Sequence, residues 1–209
     1  MKKIVVLIIK LFSYVFSYKF YQKFIGYRNS LYTLWIRNFI GYVGEHSYIC
    51  TTCSLQGGGQ KNITIGEYTI IQSHSILGCW VKYGEQKFPN ASITIGNQCS
   101  IGEYNHITAC NKITIGDGVL TGRFVYIGDN SHGELSVEDA NIPHAKRLLK
   151  SKGEVIIGNN VWLGDKVAVL AGVHIGNNVI VAANAVVTKD IPDNCMVAGV
   201  PGKIIKRLD

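Results

Sequence analysis

A period of six residues dominates this chain from Ile63 onward. Its cleanest stretch runs through hexads opening at Ile157, Leu163, Val169, Ile175, Val181 and Val187. The fifth place of each is also apolar: Val161, Val167, Val173, Val179, Ala185 and Ile191. The same frame shows earlier at Ile65 and Ile71, at Ile95 and Ile101, and at Ile115, Thr121 and Ile127. A six-residue unit is too short for a helical hairpin and cannot close an apolar core alone. Three units can form the sides of a triangular coil, each side sending one aliphatic inward. Stacked coils then bury a continuous Ile/Val column. The small residue or Gly after each aliphatic suits a tight corner, through positive φ or close approach. Asn159-Asn160 and Asn177-Asn178 fit such corners because Asn tolerates the left-handed conformation. The expected class is all-β: a solenoid of short parallel strands.

Two stretches break the period. Residues 78–92, with Trp80, Tyr83, Phe88 and Pro89, fit a loop leaving a coil corner. Residues 131–154 form a second protruding loop, rich in charge from Glu134 to Glu154. Loops longer than about 12–15 residues in a compact domain usually carry function. Residues 1–45 read as a separate N-terminal segment, and 46–209 as the solenoid, ending in a basic tail of Lys203, Lys206 and Arg207. In the first segment Leu7, Ile8, Leu11, Phe12, Val15 and Phe16 recur at helical spacing, which predicts an amphipathic helix. That helix has two possible roles. It can cap the open end of the solenoid, or residues 1–40 can anchor shallowly in a membrane with lysines and aromatics at headgroup level. The apolar run Ile4–Ile9 stops at Lys10, far short of the roughly 20 residues a spanning helix needs. No small-residue cleavage site follows it, so a signal peptide is not expected.

The formal charge of +7 points to an anionic partner, such as nucleotide phosphates or a membrane surface. Much of the excess lies at the two ends, with no tract of five consecutive basic residues, so nucleic acid is not an expected partner. Cys50 and Cys53 form a C-x-x-C, yet no second pair completes a zinc site and no βαβ context supports redox chemistry. The six cysteines read as small buried thiols of a reducing cytoplasm.

Three segments resemble the hexapeptide-repeat acyltransferases, especially the sugar O-acetyltransferases of the galactoside and maltose type. They are Lys112-Ile-Thr-Ile-Gly-Asp-Gly-Val-Leu-Thr-Gly, Val155-Ile-Ile-Gly-Asn-Asn-Val-Trp-Leu-Gly, and Ala183-Asn-Ala-Val-Val-Thr-Lys-Asp-Ile-Pro with the following Ala198-Gly-Val-Pro-Gly-Lys-Ile-Ile. The resemblance covers about residues 93–208. It implies a left-handed parallel β-helix, a homotrimer, acetyl-CoA as donor without a metal, and a hydroxyl of a sugar or polysaccharide precursor as acceptor. It also places His132, in Gly128-Asp-Asn-Ser-His132-Gly, where the family keeps its catalytic histidine. Imidazole suits the task because it ordinarily titrates at about 6.5, near working pH.

By the same resemblance Asn105 falls near an acceptor-binding Asn, one residue out of register. The neighbouring His106 is the rival base, since it could face the same cleft, and is read as structural. Trp162 matches a tryptophan lining the pantetheine channel, and Ala183, Thr188 and Lys189 match cofactor-contacting positions. Lys189 and Lys203 carry the right charge for coenzyme A phosphates. Asp165 stands where some relatives place a serine that helps bind the oxyanion. A carboxylate cannot do that, so a backbone N–H would have to serve. Asp129 either orients His132 or finishes a turn, the turn being the expected role.

The competing readings are an N-acetyltransferase acting on an amino sugar, a zinc-dependent hydratase of the γ-carbonic-anhydrase kind, and a non-catalytic structural solenoid. Relatives acting on amino sugars often carry an N-terminal nucleotide-binding segment with a glycine fingerprint, and residues 1–60 lack one. The hydratase needs closely spaced histidines, whereas His106 and His132 stand apart and no His-x4-His occurs. A cytoplasmic enzyme is the expected setting, at the inner membrane face if residues 1–40 anchor rather than cap.

Overall fold

The computed structural model describes residues 2–208. Two helices, α1 (Lys2–Val15) and α2 (Tyr18–Ile36), precede a long run of short strands. The strands visit three parallel sheets in strict rotation, here called faces A, B and C. One turn, for example, takes Lys112–Ile115 on face A, Leu120–Thr121 on face B and Tyr126–Gly128 on face C. The next turn repeats this with Val155–Ile157, Trp162–Leu163 and Ala168–Val169, in register with the turn before. Regular coiling begins at Tyr42–Val43 and Tyr48–Ile49, ahead of the Ile63 start read from the period.

The hexad explains this geometry. The opening residues Ile157, Leu163, Val169, Ile175, Val181 and Val187 are all essentially fully buried, and they meet their counterparts from adjacent turns along the axis. Full burial of each such side chain contributes about 1.5–3 kcal/mol. The fourth place, not the second, takes positive φ, at Asn160, Lys166, Asn178 and Asn184. The second-place glycine is there for close approach. A Cβ on Gly158 would lie 2.7 Å from the carbonyl carbon of Gly176, one turn on. At the A–B corner the third place forms a ladder. Oδ1 of Asn159 accepts from Asp117 N–H, Asn177 from Asn159, and Asp193 from Asn177, at 2.7–2.8 Å.

The fifth place changes character along the axis. In the later turns it is aliphatic, but in the earlier turns it holds Ser47, Cys53, Thr69, Ser75, Cys99 and Asn105, all buried. These polar side chains reach the main chain of the next turn. Ser47 Oγ donates to Gly66 O and accepts from Thr69 N–H. Thr69 Oγ1 does the same with Gly96 O and Cys99 N–H. One slot is thus filled either by packing or by hydrogen bonds that leave no buried group unpaired.

The helix α2 closes the first turn. Asn29, Thr33 and Ile36 are its buried residues. Thr33 Oγ1 accepts from Ile49 N–H at 3.0 Å and donates to Ile49 O, while Asn29 Oδ1 accepts from Thr51 N–H. The helix side chains therefore satisfy the open backbone edge of face B, which would otherwise invite pairing with another chain. At the other end Lys203–Arg207 folds back antiparallel on Cys195–Ala198. The two interruptions leave from the same C–A corner, two turns apart. The first carries a small hairpin, Lys82–Tyr83 with Gln86–Lys87, and the second pairs Ser131–His132 with Leu149–Lys150.

Candidate active site

The outer surface of face C, roofed by the two excursions, forms the main cleft. A cavity of about 480 Å³ there is lined by Trp80 and Tyr83 from the first excursion, His106 and Tyr126 from the coil, and His132 and Leu149 from the second. It runs on into a second cavity of about 400 Å³, which shares Tyr126, Asn130, Ser131 and Leu170 and ends at Lys152 and Thr188.

His132 sits at the rim of this cleft, exposed, in a strand whose partner across the ladder is Leu149. The ring of Tyr83 meets it edge-on, with centroids 5.4 Å apart. Three further contacts hold the roof in place. Gln86 Oε1 accepts from Leu149 N–H at 2.7 Å and its Nε2 donates to Leu149 O at 3.1 Å, so one side chain clasps the residue paired with His132. Tyr83 Oη donates to Ala145 O at 3.3 Å, and Trp80 Nε1 donates to Thr108 Oγ1 at 3.2 Å. Nothing in the six-residue frame marks Tyr83 or Gln86. The only sequence signal is that the period breaks at an aromatic-rich stretch and again at a charged one.

Asp129 finishes the turn and does not orient His132. It is fully buried, and its carboxylate accepts from the N–H groups of Cys110 and Asn111 at 2.8 Å and from Asn130 Nδ2 at 3.0 Å. Burial first, then this carboxylate, pushes the Cys110 thiol up to about 12, and burial raises Tyr126 with the same carboxylate adding to it. Cys53, in the C-x-x-C, is likewise pushed up to about 12, by burial and then by Cys50. Buried in this way, both thiols stay protonated at neutral pH. Among the described residues no group of three or more His, Cys, Asp or Glu is arranged to hold a metal.

His106 is brought into the cleft, facing outward from the turn between the excursions, with Tyr126 packed edge-on at 5.7 Å. Burial holds its imidazole below the usual histidine range. Asn105 goes the other way. The expected acceptor contact fails because Asn105 points into the coil, where Oδ1 accepts from Val125 N–H at 2.7 Å and Nδ2 donates to Thr121 Oγ1. It is the polar fifth-place residue of its turn, answered by the one polar hexad opener, Thr121.

The remaining predicted residues fall on different faces. Thr188 lies on the His132 cleft, with Lys189 beside it and exposed. Trp162 is exposed on face B, in register with Leu120 and Ile180. Asp165 stands at the B–C corner, where Oδ1 accepts from Arg123 N–H at 2.8 Å, so its carboxylate serves the coil. Ala183 is exposed at the same corner one turn on, and Lys203 lies in the folded-back strand on face B. Within this one chain, then, Trp162, Ala183 and Lys203 do not share the His132 cleft.

Residues 154–189 match the bacterial transferase hexapeptide family (six repeats). Over that stretch the chain is similar to the hexapeptide-repeat transferases. It is 42% identical over 124 residues to a putative lipopolysaccharide biosynthesis O-acetyl transferase, WbbJ, of Escherichia coli K12, covering 57% of this chain and 63% of that one. It is 32% identical over 153 residues to the galactoside O-acetyltransferase of the same organism, covering 70% of this chain and 64% of that one. The chain thus spans less than two thirds of the length of these relatives. Among solved structures, a maltose O-acetyltransferase from Clostridium difficile 630 superposes with TM-score 0.54 at 25% identity, over 83% of this chain and 73% of that one. The N-acyltransferase AntD from Bacillus cereus, in complex with dTDP and 3-hydroxybutyryl-CoA, superposes with TM-score 0.65 at 22% identity, over 83% and 86%, a likeness of fold.

Proposed function

We propose that this chain is an acetyl-CoA-dependent O-acetyltransferase that moves an acetyl group to a hydroxyl of a sugar or polysaccharide precursor, with His132 as general base. The observation that carries the reading is the cleft on face C. It presents His132 at its rim, has a polar and aromatic wall on one side, and continues into a second cavity ending at Lys152 and Thr188. The relatives named as a putative lipopolysaccharide biosynthesis O-acetyl transferase and a galactoside O-acetyltransferase agree with it.

In this scheme the first cavity takes the acceptor, and its hydroxyl lies against His132. Aromatic rings such as Trp80 and Tyr83 suit a sugar, whose C–H faces are apolar and whose rim is polar. The imidazole removes the hydroxyl proton as the oxygen attacks the thioester carbon. The carbon–sulfur bond then breaks, and the departing thiolate takes the proton back from the imidazolium, leaving acetyl ester and free coenzyme A. The negative charge on the carbonyl oxygen needs a main-chain N–H donor, since the Asp165 carboxylate is committed to Arg123.

The coil is assigned the left-handed β-helix of its family, and the assembly a homotrimer. A trimer answers the scatter of the predicted cofactor residues. Face B of one prism, with Trp162 and Lys203, and the B–C corner with Ala183 can meet face C of the next, with Thr188 and Lys189. The pantetheine channel then runs between subunits. Residues 1–45 serve as an appendage to the solenoid, and we place the enzyme in the cytoplasm, attached at the inner membrane face through residues 1–40. Incubating the purified chain with acetyl-CoA and a panel of sugars and oligosaccharides, and reading thiol release, tests the reaction. Acceptor-dependent release is expected, from a species whose light-scattering mass is three times that of the chain. Release by no acceptor, or full activity from a monomer, overturns the reading.

A further inference from the structure

The two N-terminal helices divide the roles that the sequence left open. The helix α2 caps the coil through Asn29, Thr33 and Ile36, whereas α1 buries none of its residues. Ile4, Ile8, Leu11, Phe12, Val15 and Phe16 are all about half exposed or more, as an unpartnered apolar face. With 3.6 residues per turn Ile4, Ile8, Leu11, Phe12 and Val15 fall on one side of α1 with Phe16 just beyond its end, and Lys3 and Lys10, seven residues apart, fall together on the other, flanked by Val6 and Leu7. Behind α1 the chain bends by 57°. At the bend Phe12 stacks on Phe16 with centroids 4.4 Å apart, Phe16 meets Phe20 edge-on, and the cluster lines an open concavity of about 440 Å³. The apolar surface continues on the outer side of α2 through Phe24, Tyr27 and Leu31.

Charge names what covers this surface. Residues 1–44 contain seven of the 21 Lys and Arg and none of the 14 Asp and Glu, so the rest of the chain balances and the whole net charge of +7 sits here. A second copy of this chain would bring the same positive segment to the contact. An anionic bilayer brings opposite charge and apolar depth together. Fourteen residues make a helix about 21 Å long, too short for a hydrocarbon core of about 30 Å. No single helix here is long and apolar enough to cross.

We propose that α1 lies in the plane of an anionic membrane surface, its Ile4–Ile8–Leu11–Val15 side and the Phe12–Phe16 bend sunk among the upper acyl chains and Lys3 and Lys10 among the headgroups. The helix α2 stays with the protein as the cap and as the rigid arm that fixes the coil at the surface. The inference rests on the membrane attachment assigned above and not on the acetyl-transfer chemistry. It narrows the attachment to one helix and one orientation.

The test is flotation of the full chain with vesicles of phosphatidylglycerol and phosphatidylethanolamine, against vesicles of phosphatidylcholine alone. Because α1 packs against nothing in the coil, its variants keep the fold, and thiol release with a small soluble sugar checks this independently. Wild type is expected to float with the anionic vesicles. The double variant Ile8→Asp/Leu11→Asp is expected to lose at least about tenfold in partitioning, through charge placed among acyl chains. Lys3→Gln/Lys10→Gln is expected to lose about 30-fold at low salt, at about 1 kcal/mol per basic residue, and almost nothing at high salt. A Phe12→Trp variant is expected to gain emission that brominated acyl chains quench. If wild type floats and Ile8→Asp/Leu11→Asp floats equally, the attachment stands and the α1 assignment falls. If wild type does not float at all, both fall. If the Asp variants instead reduce the oligomer's mass, α1 belongs to a contact between copies, and the membrane proposal is overturned.

Discussion

The coil and its two excursions are held together in opposite ways. In the coil each residue's place is set many times over, by the ladder above, the ladder below, an inward aliphatic and a corner rung such as Asn159 on Asp117. The excursions are held by single, unrepeated contacts, among them the short pairing of His132 with Leu149, the Gln86 clasp on Leu149, and the Tyr83 ring against His132. Repetition gives stability but makes every turn alike, so it cannot by itself distinguish one site on the surface from another. The proposed site sits where the repeat is broken. Damage to the coil should therefore appear as lost stability, and damage to the excursions as lost turnover.

The largest expected effect is on the coil. Leu163→Ala removes a fully buried side chain from a column that cannot collapse around the gap, and should cost about 2–5 kcal/mol in chemical denaturation. Activity per folded molecule should stay near wild type. If turnover fell with stability preserved, the division between the regions would fail. The mirror case is His132→Ala, expected to lower turnover by about 10²-fold or more with little change in Tm. Near wild-type turnover in the folded variant would remove the base assignment.

Gln86→Leu sharpens the comparison, because it keeps bulk and deletes only the clasp on Leu149. Turnover should drop by about tenfold, the range expected when a reacting group is slightly misplaced, while Tm barely moves. A large fall in Tm would show that the clasp belongs to the framework instead. The smallest effect concerns His106, which stands on the coil yet faces the cleft. Burial depresses its pKa below the ordinary 6.5, so the unfolded chain takes up a proton more readily than the folded one. Stability is whole above about pH 6.5 and declines as pH falls through the depressed value. In His106→Gln that part of the decline should disappear, and an unchanged pH profile of Tm would contradict it.

How far the sequence foretold this is seen in particular residues. From Ile157 to Ile191 both inward places of the hexad are aliphatic or Ala, so the coil was legible residue by residue. The opening turns keep the period at Val43, Ile49 and Leu55. Their fifth places, however, are Ser47 and Cys53, which satisfy themselves on the neighbouring turn's main chain or lie buried as thiols, and so do not look like core. For the same reason Asn105 passed as an acceptor contact when it is an interior residue bonded to Val125. His132 was found through a resemblance, and the structure sets it in the roofed cleft. Tyr83 and Gln86 could not be found, because their partners lie across about 60 residues of chain and no local pattern records such a meeting.

The two excursions leave the same corner two turns apart, with the strand of His106 on the turn between. Parallel strands stand about 4.8 Å from one another, so the roots of the two roof elements are separated by about 9.5 Å along the axis. A solenoid can gain or lose length only in whole turns without breaking its register. The gap between the two walls can therefore widen or narrow only in steps of about 4.8 Å. The coil is a gauge with discrete settings, and under the proposed reaction the size of acceptor admitted is first a matter of counting turns, with side chains left to trim within one setting.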